Sequence, residues 1–401
     1  MIFNTYWFFC FSAAFFPVYW LLRHPLARRA WLLAGCAFFH LHFAGPAGVL
    51  PIVVLGLVTY LAALTRLRAA CVAAIVLCVA ALCFYKYALF FSQGLLGRIS
   101  PVAAEHFERQ ARAWLPAAAP LAISFFAFEF VHYLVEVFRG KPPIRRPDDF
   151  ALFAIHFPSL VAGPIKRFQE YLPSLHAGLA GVNVDDVAAG ARRLALGLVK
   201  KIILADNLTL VINFYGDNFA ALPLGRAWLL LAAITARILL DFSGYTDMAI
   251  GLSRMLGVRL PENFQYPYLA TSLGDFWQRW HMSLTSWIRD YVYIPLGGNR
   301  HGLARQLLNG LVVFALCGLW HGAAWHFVLW GLWHGLGLAV SLSYSRVLGA
   351  TGRWLAGGFA RLPVLGWALT LLHVALGWLL FFYEPLPALR MAAKLFALDQ
   401  S

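Results

Sequence analysis

Residues 276–335 place histidines, arginines and a carboxylate among many tryptophans. The segment begins FWQRWHMSLTSWIRDYVYIPLGGNR and, after an apolar stretch, continues GLWHGAAWHFVLWGLWHG. Ionisable side chains are costly at membrane depth, so their presence in such apolar surroundings needs a reason. An active site or a conduit through the membrane is the first explanation.

His321 is the first candidate for a group that does chemistry. It lies between Trp320 and Gly322, and no Asp or Glu occurs between Asp290 and Glu384. Desolvation disfavours the imidazolium ion, so the neutral imidazole is expected here. Neutral imidazole accepts a proton from an attacking hydroxyl. The alternative is a core histidine that hydrogen-bonds to a backbone carbonyl.

His281 is the second candidate, and it lies in a segment too polar to span the membrane. It could assist catalysis, orient a donor or satisfy a buried polar network. We predict that His326 and His334 are packing residues. On a helix, His326 would be turned by about 140° from the face of His321, and His334 follows Trp330 by four residues. The charged neighbours of His281 are Asp275, Arg279, Arg289 and Asp290.

Other chemistries fit the sequence poorly. A zinc site needs several His, Cys or carboxylate ligands, and neither HExxH nor a cysteine pair is present, so we predict no metal. A GxSxG nucleophile elbow and a Walker-type phosphate loop are also missing. The six cysteines lie in apolar runs and are expected to be buried. Histidine-assisted transfer to an acceptor hydroxyl therefore remains.

The composition indicates the class of protein. Of 401 residues, 61% are hydrophobic and 12% are charged, and the mean hydropathy is +0.69. This is too little polar surface for a soluble globule, and spanning segments in lipid must satisfy their own backbone hydrogen bonds. We predict an all-α polytopic membrane protein with about ten or eleven transmembrane helices, plus re-entrant or interfacial helices.

The net charge of +14 comes largely from short loops between apolar segments. Basic clusters follow the first, third and fifth apolar runs, so the positive-inside rule places these loops in the cytoplasm and the N-terminus outside. Residues 105–112 then lie on the outer face. Nucleic acid is not expected as a partner. The clusters are Arg23, Arg28 and Arg29; Arg66 and Arg68; and Lys141, Arg145 and Arg146.

Residues 2–92 form four apolar segments with breaks near Pro25, Pro46 and Arg66, and we interpret them as scaffold. A helix is predicted from about Trp114 to Phe138. Three of its polar residues lie on one helical face, which is either a polar seam or an edge of the catalytic cavity. They are Glu129, His132 and Glu136.

The segments that follow are irregular. Pro158, Gly163 and Pro164 interrupt one apolar run, which favours a re-entrant or interfacial element. Lys200 and Lys201 are expected to reach headgroups or an anionic ligand.

Residues 226–256 are predicted to span the membrane with an interruption at DFSGYTDMAIG, where Arg237 and Asp241 can pair. No spanning window occurs between Pro261 and Arg300. Three more apolar segments follow, at about 306–320, 323–345 and 363–383.

These residues carry a family resemblance. The run DFSGYTDMAIGLSRMLGVRLPENFQYPYLATSLGDFWQRWHMSLTSWIRDYVYIPLGGNR, followed by GLWHGAAWHFVLWGLWHG, resembles the membrane-bound O-acyltransferases and, among them, the alginate O-acetyltransferase membrane subunits. SFFAFEFVHYLVEVFRG, FPSLVAGPIKRF and LGLVKKIILADN agree in order. The D-alanyl transferases of teichoic acid modification share WHMSL but usually lack YIPLGGNR.

The resemblance implies one membrane domain over residues 1–401, with helices around a central tunnel. Its parts are scaffold helices at 1–112, a catalytic core at 113–345 and a C-terminal helix and tail at 346–401. The resemblance implies that His321 is catalytic and that His281 is the second motif histidine. Six further residues are predicted to line the donor path: Asp275, Arg279, Trp280, Arg289, Asp290 and Trp320.

The implied activity is acetyl transfer from a cytoplasmic thioester, either acetyl-CoA or a carrier-protein thioester, to an extracytoplasmic polysaccharide. Periplasmic transferase or polysaccharide-synthesis subunits are the implied partners, and the bacterial inner membrane is the implied location. No bound cofactor is expected. D-alanyl transfer to a teichoic-acid-like polymer, a transporter or channel, and a non-catalytic assembly subunit remain as alternatives. The acceptor polymer stays open.

Overall fold

The computed structural model describes residues 2–115, 119–216 and 218–397, and every regular element within them is a helix. The predicted all-α class is therefore confirmed. Six helices in the described part of the chain are long and apolar enough to cross a membrane, and Tyr6–Leu21 is a shorter apolar helix. The protein is thus a multi-pass membrane protein, while the total of ten or eleven spans stays a prediction.

The first helices end where the sequence predicts. Helix α1 (Tyr6–Leu21) is followed by α2 (Pro25–Thr65), which has Pro25 in its first turn. Gly45 interrupts α2 with φ +65° and ψ 169° directly before Pro46, and left-handed Arg66 ends it with φ 56°. Proline disfavours helical backbone at the residue before it, and glycine tolerates the positive φ found here, which together favour a break at Gly45. Helix α3 spans Arg68–Ile99.

Helix α4 (Pro101–Trp114) precedes α5 (Ile123–Phe138). The prediction that one helix runs from Trp114 to Phe138 is therefore wrong at its start. Trp114 ends α4, and α5 begins at Ile123, whose N–H donates to the Pro120 carbonyl. Ala119 and Pro120, which precede α5, are not helical, and Pro120 disfavours helical backbone at the residue before it.

The polar face of α5 forms a seam rather than part of the cavity described below. The buried Lys166 ammonium lies 2.5 Å from Glu129 Oε1. Gln169 contacts both His132 and Glu136. Its Oε1 atom lies 3.1 Å from His132 Nε2, and its Nε2 atom donates a hydrogen bond of 3.0 Å to Glu136. Pairing lowers the cost of burying these groups. Of the two explanations, the structure favours the seam.

The interrupted apolar run folds as two short helices, α6 (Pro147–Ile155) and α7 (Phe168–Ala180), with a 3-10 turn (Phe157–Ser159) and irregular backbone between them. Next come α8 (Val184–Leu198), a π-helical stretch (Val199–Ala205) and α9 (Asp206–Gly216).

The prediction for Lys201 is wrong, because its buried ammonium lies 2.6 Å from Asp206 and 2.7 Å from Asp241 rather than at a headgroup. The prediction for Lys200 stays a prediction.

Helix α10 (Leu224–Met255) is continuous for 32 residues, so the predicted interruption at DFSGYTDMAIG is wrong. The small and hydroxyl residues of this segment stay helical in their packed surroundings. The predicted pair within α10 is confirmed, with Arg237 Nη2 3.5 Å from Asp241 Oδ2.

No described helix between Pro261 and Arg300 is long enough to span the membrane, as predicted. That segment contains α11 (Leu273–Arg279), α12 (Met282–Ile288) and a π-helical turn (Arg289–Tyr293). The three later apolar segments are confirmed as helices. The remaining helices are α13 (Gly302–His321), α14 (Trp325–Val347), α15 (Gly349–Arg361), α16 (Pro363–Phe382) and α17 (Pro385–Leu395).

The chain divides into two compact units. The N-terminal unit contains Met1–Leu198 and Tyr245–Pro261, and the C-terminal unit contains Val199–Gly244 and Glu262–Ser401. The core of the N-terminal unit is rich in phenylalanine and tyrosine from α1, α2, α5, α6 and α7. The predicted division at residues 112 and 345 stays a prediction.

Candidate active site

Helices α13 and α14 approach each other closely at two glycines. A Cβ atom on Gly318 would collide with the carbonyl oxygen of Phe327, and one on Gly331 would collide with that of Phe314. Small residues allow such close backbone contact between membrane helices. The two glycines begin identical pentapeptides, GLWHG at 318–322 and at 331–335. The packing of α13 against α14 therefore brings the two copies of one motif together.

His321 is the last residue of α13, and its ring is held by aromatic side chains. Gly322 continues the chain with extended backbone, at φ −164° and ψ 152°. The His321 ring stands nearly perpendicular to Trp330, with centroids 5.0 Å apart, and to Phe381 at 5.3 Å. Trp320 packs on it at 4.8 Å. The half-buried imidazole therefore has a defined position at the end of a helix.

His281 connects α11 and α12 with an unusual backbone. Its φ of 44° and ψ of 52° lie in the left-handed region, which residues other than glycine seldom adopt. The buried Asn263 holds the following residues: its carbonyl oxygen accepts from Met282 N–H at 2.9 Å, and its side-chain oxygen accepts from Ser283 Oγ at 2.6 Å. Such strain persists only where the surroundings enforce it, and it is common at functional sites.

The His281 side chain is 2% exposed and meets the edge of Phe242 at a centroid distance of 4.7 Å. It lies outside the long apolar helices. Burial, and secondarily the charge of His321, lowers the pKa of His281 well below its ordinary value of 6.5. Its Nε2 atom has no hydrogen-bond partner among the residues that the structure describes. Burial therefore favours the neutral imidazole at His281.

Both histidines line one cavity of about 230 Å³ in the C-terminal unit. The cavity follows α13 from Gln306 to His321, and 15 residues of α-helix rise about 22 Å. It also follows α12 from Leu284 to Ile288, with His281 just before that helix and Arg289 just after it. The cavity is thus long and narrow, with the two histidines at one end. Apolar lining comes from Leu284, Ile288, Leu307, Val313, Phe314, Cys317, Leu338, Ala339 and Leu342.

Polar groups mark the other end of the cavity. Arg289, Tyr293 and Gln306 line it there, and the exposed Arg289 guanidinium lies 2.9 Å from Asp290. The arrangement combines a cation at one end, an apolar passage and two imidazoles at the other end. It suits a reaction in which a long donor with an anionic head presents its reactive carbonyl to the histidines.

The six predicted donor-path residues divide between the lining and its surroundings. Trp280 and Arg289 line the cavity. Asp275 and Arg279 pair with each other at 2.7 Å, and Asp290 pairs with Arg289. Trp320 packs between the histidines, 5.9 Å from His281 and 4.8 Å from His321 by ring centroids. Asp275, Arg279, Asp290 and Trp320 are not among the lining residues.

The two remaining histidines of the motif pack as predicted, although one argument for this is wrong. Helix α13 ends at His321, and His326 belongs to the next helix, α14. The predicted angle of about 140° between the two side chains assumed a single helix and therefore does not hold. Its Nδ1 lies 2.9 Å from the Leu380 carbonyl oxygen. His334 is fully buried against Trp330, at a ring distance of 5.0 Å.

Sequence reasoning missed several lining residues. Trp277, Thr285, Tyr293 and Gln306 line the cavity. A helical periodicity was available as a signal for Thr285, because residues 284, 285 and 288 share one face of α12. Gln306 carried no signal, since a single glutamine near a helix start is ordinary.

Comparison with known proteins identifies the family of this fold and site. A family model for the membrane-bound O-acyltransferases matches residues 146–383, a range that includes both histidines. The chain belongs to the membrane-bound O-acyltransferase family. This confirms the resemblance that the motifs carry.

Relatives of this chain are named for action on different polymers. The probable alginate O-acetylase AlgI of Pseudomonas putida is 39% identical over 319 residues, covering 78% of this chain and 62% of that protein. The peptidoglycan O-acetyltransferase of Helicobacter pylori is 32% identical over 424 residues, covering 95% and 77%. The teichoic acid D-alanyltransferase of Bacillus subtilis is 29% identical over 222 residues, covering 52% and 55%. The chain spans less than two thirds of the length of the alginate-type relative.

Proposed function

We propose that this protein is an O-acetyltransferase that moves an acetyl group from a cytoplasmic thioester to a hydroxyl of an extracytoplasmic polysaccharide or of a periplasmic partner protein. The observation that carries the proposal is a narrow cavity with His281 and His321 at one end and Arg289 towards the other. Family membership supports the reaction class.

In the proposed mechanism His321 acts as the general base. Its imidazole takes the proton of the acceptor hydroxyl while the hydroxyl oxygen forms a bond to the acyl carbon. The carbon–sulfur bond then breaks, and the leaving thiolate takes the proton from the imidazolium. The acyl group ends as an ester, and the donor ends as a free thiol.

His281 is proposed to stabilise the negative charge that develops on the carbonyl oxygen. A neutral imidazole carries one N–H donor, and a donor fixed in a dry site stabilises an oxyanion strongly. The left-handed backbone of His281 and its contact with Phe242 keep the ring in place. The apolar lining keeps water from the thioester, which limits hydrolysis.

Arg289 is proposed to meet the anionic part of the donor, since guanidinium groups bind phosphates through charge-assisted hydrogen bonds. Acetyl-CoA and a carrier-protein thioester both carry phosphate. For the acceptor, an alginate-like exopolysaccharide is proposed first, because alginate-type relatives reach 40% identity. A cell-wall glycan is the second candidate, because the peptidoglycan relative covers 95% of this chain. D-alanyl transfer has less support, from a match over 52% of the chain.

The test compares the O-acetyl content of surface polymers in strains that carry the full-length protein or its His321→Ala variant. In the His321→Ala strain, O-acetylation of the surface polymers should be abolished although the variant protein reaches the membrane at a normal level. His106→Ala, which changes an exposed histidine, is the matched control and should keep full acetylation. Retained acetylation in the His321→Ala strain would refute the proposal, whereas altered solute flux with normal acetylation would favour a transporter.

A further inference from the structure

A second cavity, of about 460 Å³, lies in the N-terminal unit. Its rim is the KPPIRR loop, residues 141–146 between α5 and α6. Helices α6 and α7 provide the rest of the lining, through Asp149, Phe168, Gln169, Leu172 and Pro173. None of these residues takes part in the proposed reaction.

The KPPIRR loop has a fixed backbone. Lys141 N–H donates to the Glu136 carbonyl at 3.0 Å, and Ile144 N–H donates to the Tyr133 hydroxyl, also at 3.0 Å. The Tyr60 hydroxyl donates to the Arg145 carbonyl at 2.6 Å. Two prolines restrict the chain between these anchors. The loop therefore holds the backbone positions of Lys141 and Arg145 in place before a ligand arrives, which lowers the entropic cost of binding.

The cations on the rim are available to a ligand. Lys141 and Arg145 are exposed and form no ion pair with any residue that the structure describes. Arg146 pairs with Asp148 at 2.8 Å. The one carboxylate of the lining, Asp149, is engaged by Arg29 and by His176 rather than by the rim. A net positive charge therefore surrounds the opening of the cavity.

The interior of the cavity is largely apolar. Phe168, Leu172 and Pro173 line it, and Pro142 and Pro143 lie on the rim side. A small inorganic anion would leave this apolar surface uncovered. A phosphate ester with an apolar body matches both parts, because arginine binds phosphate well and the apolar lining takes the rest of the molecule.

We propose that this cavity is a binding site for an anionic phospholipid, with the headgroup phosphate held by Lys141 and Arg145. A lipid is favoured over a soluble phosphate ester because the protein is a multi-pass membrane protein and the loop carries the basic cluster predicted to face the anionic cytoplasmic leaflet. The inference does not depend on the proposed acetyl transfer.

The experiment measures binding of short-chain phosphatidylglycerol and phosphatidylcholine to the full-length protein in neutral detergent by native mass spectrometry. The wild-type protein should retain phosphatidylglycerol in preference to phosphatidylcholine. The double variant Lys141→Gln/Arg145→Gln should bind phosphatidylglycerol about tenfold more weakly or worse, since two charge-assisted contacts are lost.

Two controls make the result specific. Arg353→Gln/Arg361→Gln removes two exposed arginines elsewhere and should leave the affinity unchanged. Lys141→Arg/Arg145→Lys keeps both charges and should retain binding. All variants should melt at the wild-type temperature without lipid, because the loop is anchored by backbone atoms.

Two results would overturn the assignment. One is equal binding of phosphatidylglycerol by the wild-type protein and the Lys141→Gln/Arg145→Gln variant. The other is displacement of the lipid by a soluble nucleotide, adenosine 3′,5′-bisphosphate, which would make this a site for soluble phosphate esters instead.

Discussion

The two histidines of the candidate site are held in place by different means. The His321 ring is positioned by Trp320, Trp330 and Phe381, whereas His281 is positioned by its left-handed backbone and by Asn263. The sequence indicated both as candidates, because ionisable groups in apolar surroundings need a reason. It did not indicate the left-handed backbone of His281, which depends on a residue 18 positions away and on the packing around it.

The pH dependence of stability should report the neutral state of His281. As pH falls below 6.5, an unfolded chain binds a proton at His281 while the folded protein does not, because burial holds the folded pKa lower. The contribution of neutral His281 to the free energy of unfolding is therefore fully present above pH 6.5 and is lost progressively as the pH falls below that value. Between pH 6.5 and 5.0 this amounts to at most about 2 kcal/mol, at 1.36 kcal/mol per unit.

The measurement compares thermal unfolding of the wild-type protein and of His281→Asn at pH 7.5 and pH 5.0 in detergent. Asparagine adopts left-handed backbone readily, so this variant should fold. The wild-type protein should lose more stability than the variant on acidification. An equal loss in both proteins would show that His281 is protonated in the folded state or is not buried.

At the scale of elements, the packing of α13 against α14 builds the site. The extents of both helices were predictable from hydropathy, and so was the lack of a spanning helix before them. The end of α13 at His321 was less apparent, although Gly318 and Gly322 near it weaken the helix. The repeated GLWHG was a signal for the close approach that Gly318 and Gly331 permit. Which glycines face each other still required the tertiary structure.

Gly318→Ala should destabilise the protein by about 1–3 kcal/mol, the usual cost of overpacking. The added methyl group would collide with the Phe327 carbonyl, and α13 and α14 would have to move apart. Gly310→Ala is the matched control in the same helix, because a Cβ there meets nothing within 4 Å. The melting temperature in detergent is the measurement. Equal melting temperatures for the two variants would contradict the close packing of these helices.

At the scale of the whole molecule, composition alone established the class of protein and its helical architecture. The ion pairs between residues distant in sequence could not be predicted from the sequence. Lys201 joins Asp241 across 40 positions of sequence, and Lys166 joins Glu129 across 37. Such pairs follow from which helices pack together, and hydropathy does not report that. The orientation in the membrane is a further property of the whole chain, and the loop charges predict it.

Cysteine labelling in intact cells tests that orientation. Arg109→Cys, on the predicted outer face, should react with a membrane-impermeant maleimide, whereas Arg145→Cys should react only after the cells are opened. Both positions are exposed, and the unsubstituted protein controls for native cysteines. Helix α5 lies between them, and its 16 residues are about 24 Å long, somewhat short of the hydrocarbon core. Labelling of Arg145→Cys in intact cells would contradict the predicted topology.

The central claim, that His321 is the general base, is tested most directly by the acetyl-transfer rate of the purified full-length protein. With a labelled acetyl thioester and an acceptor polysaccharide, His321→Ala should be slower by about 10²–10⁴-fold, the usual contribution of general base catalysis. Added imidazole should restore part of the rate, because it supplies the missing base to a cavity that the substitution enlarges. A folded His321→Ala protein that transfers acetyl groups at the wild-type rate would contradict the account.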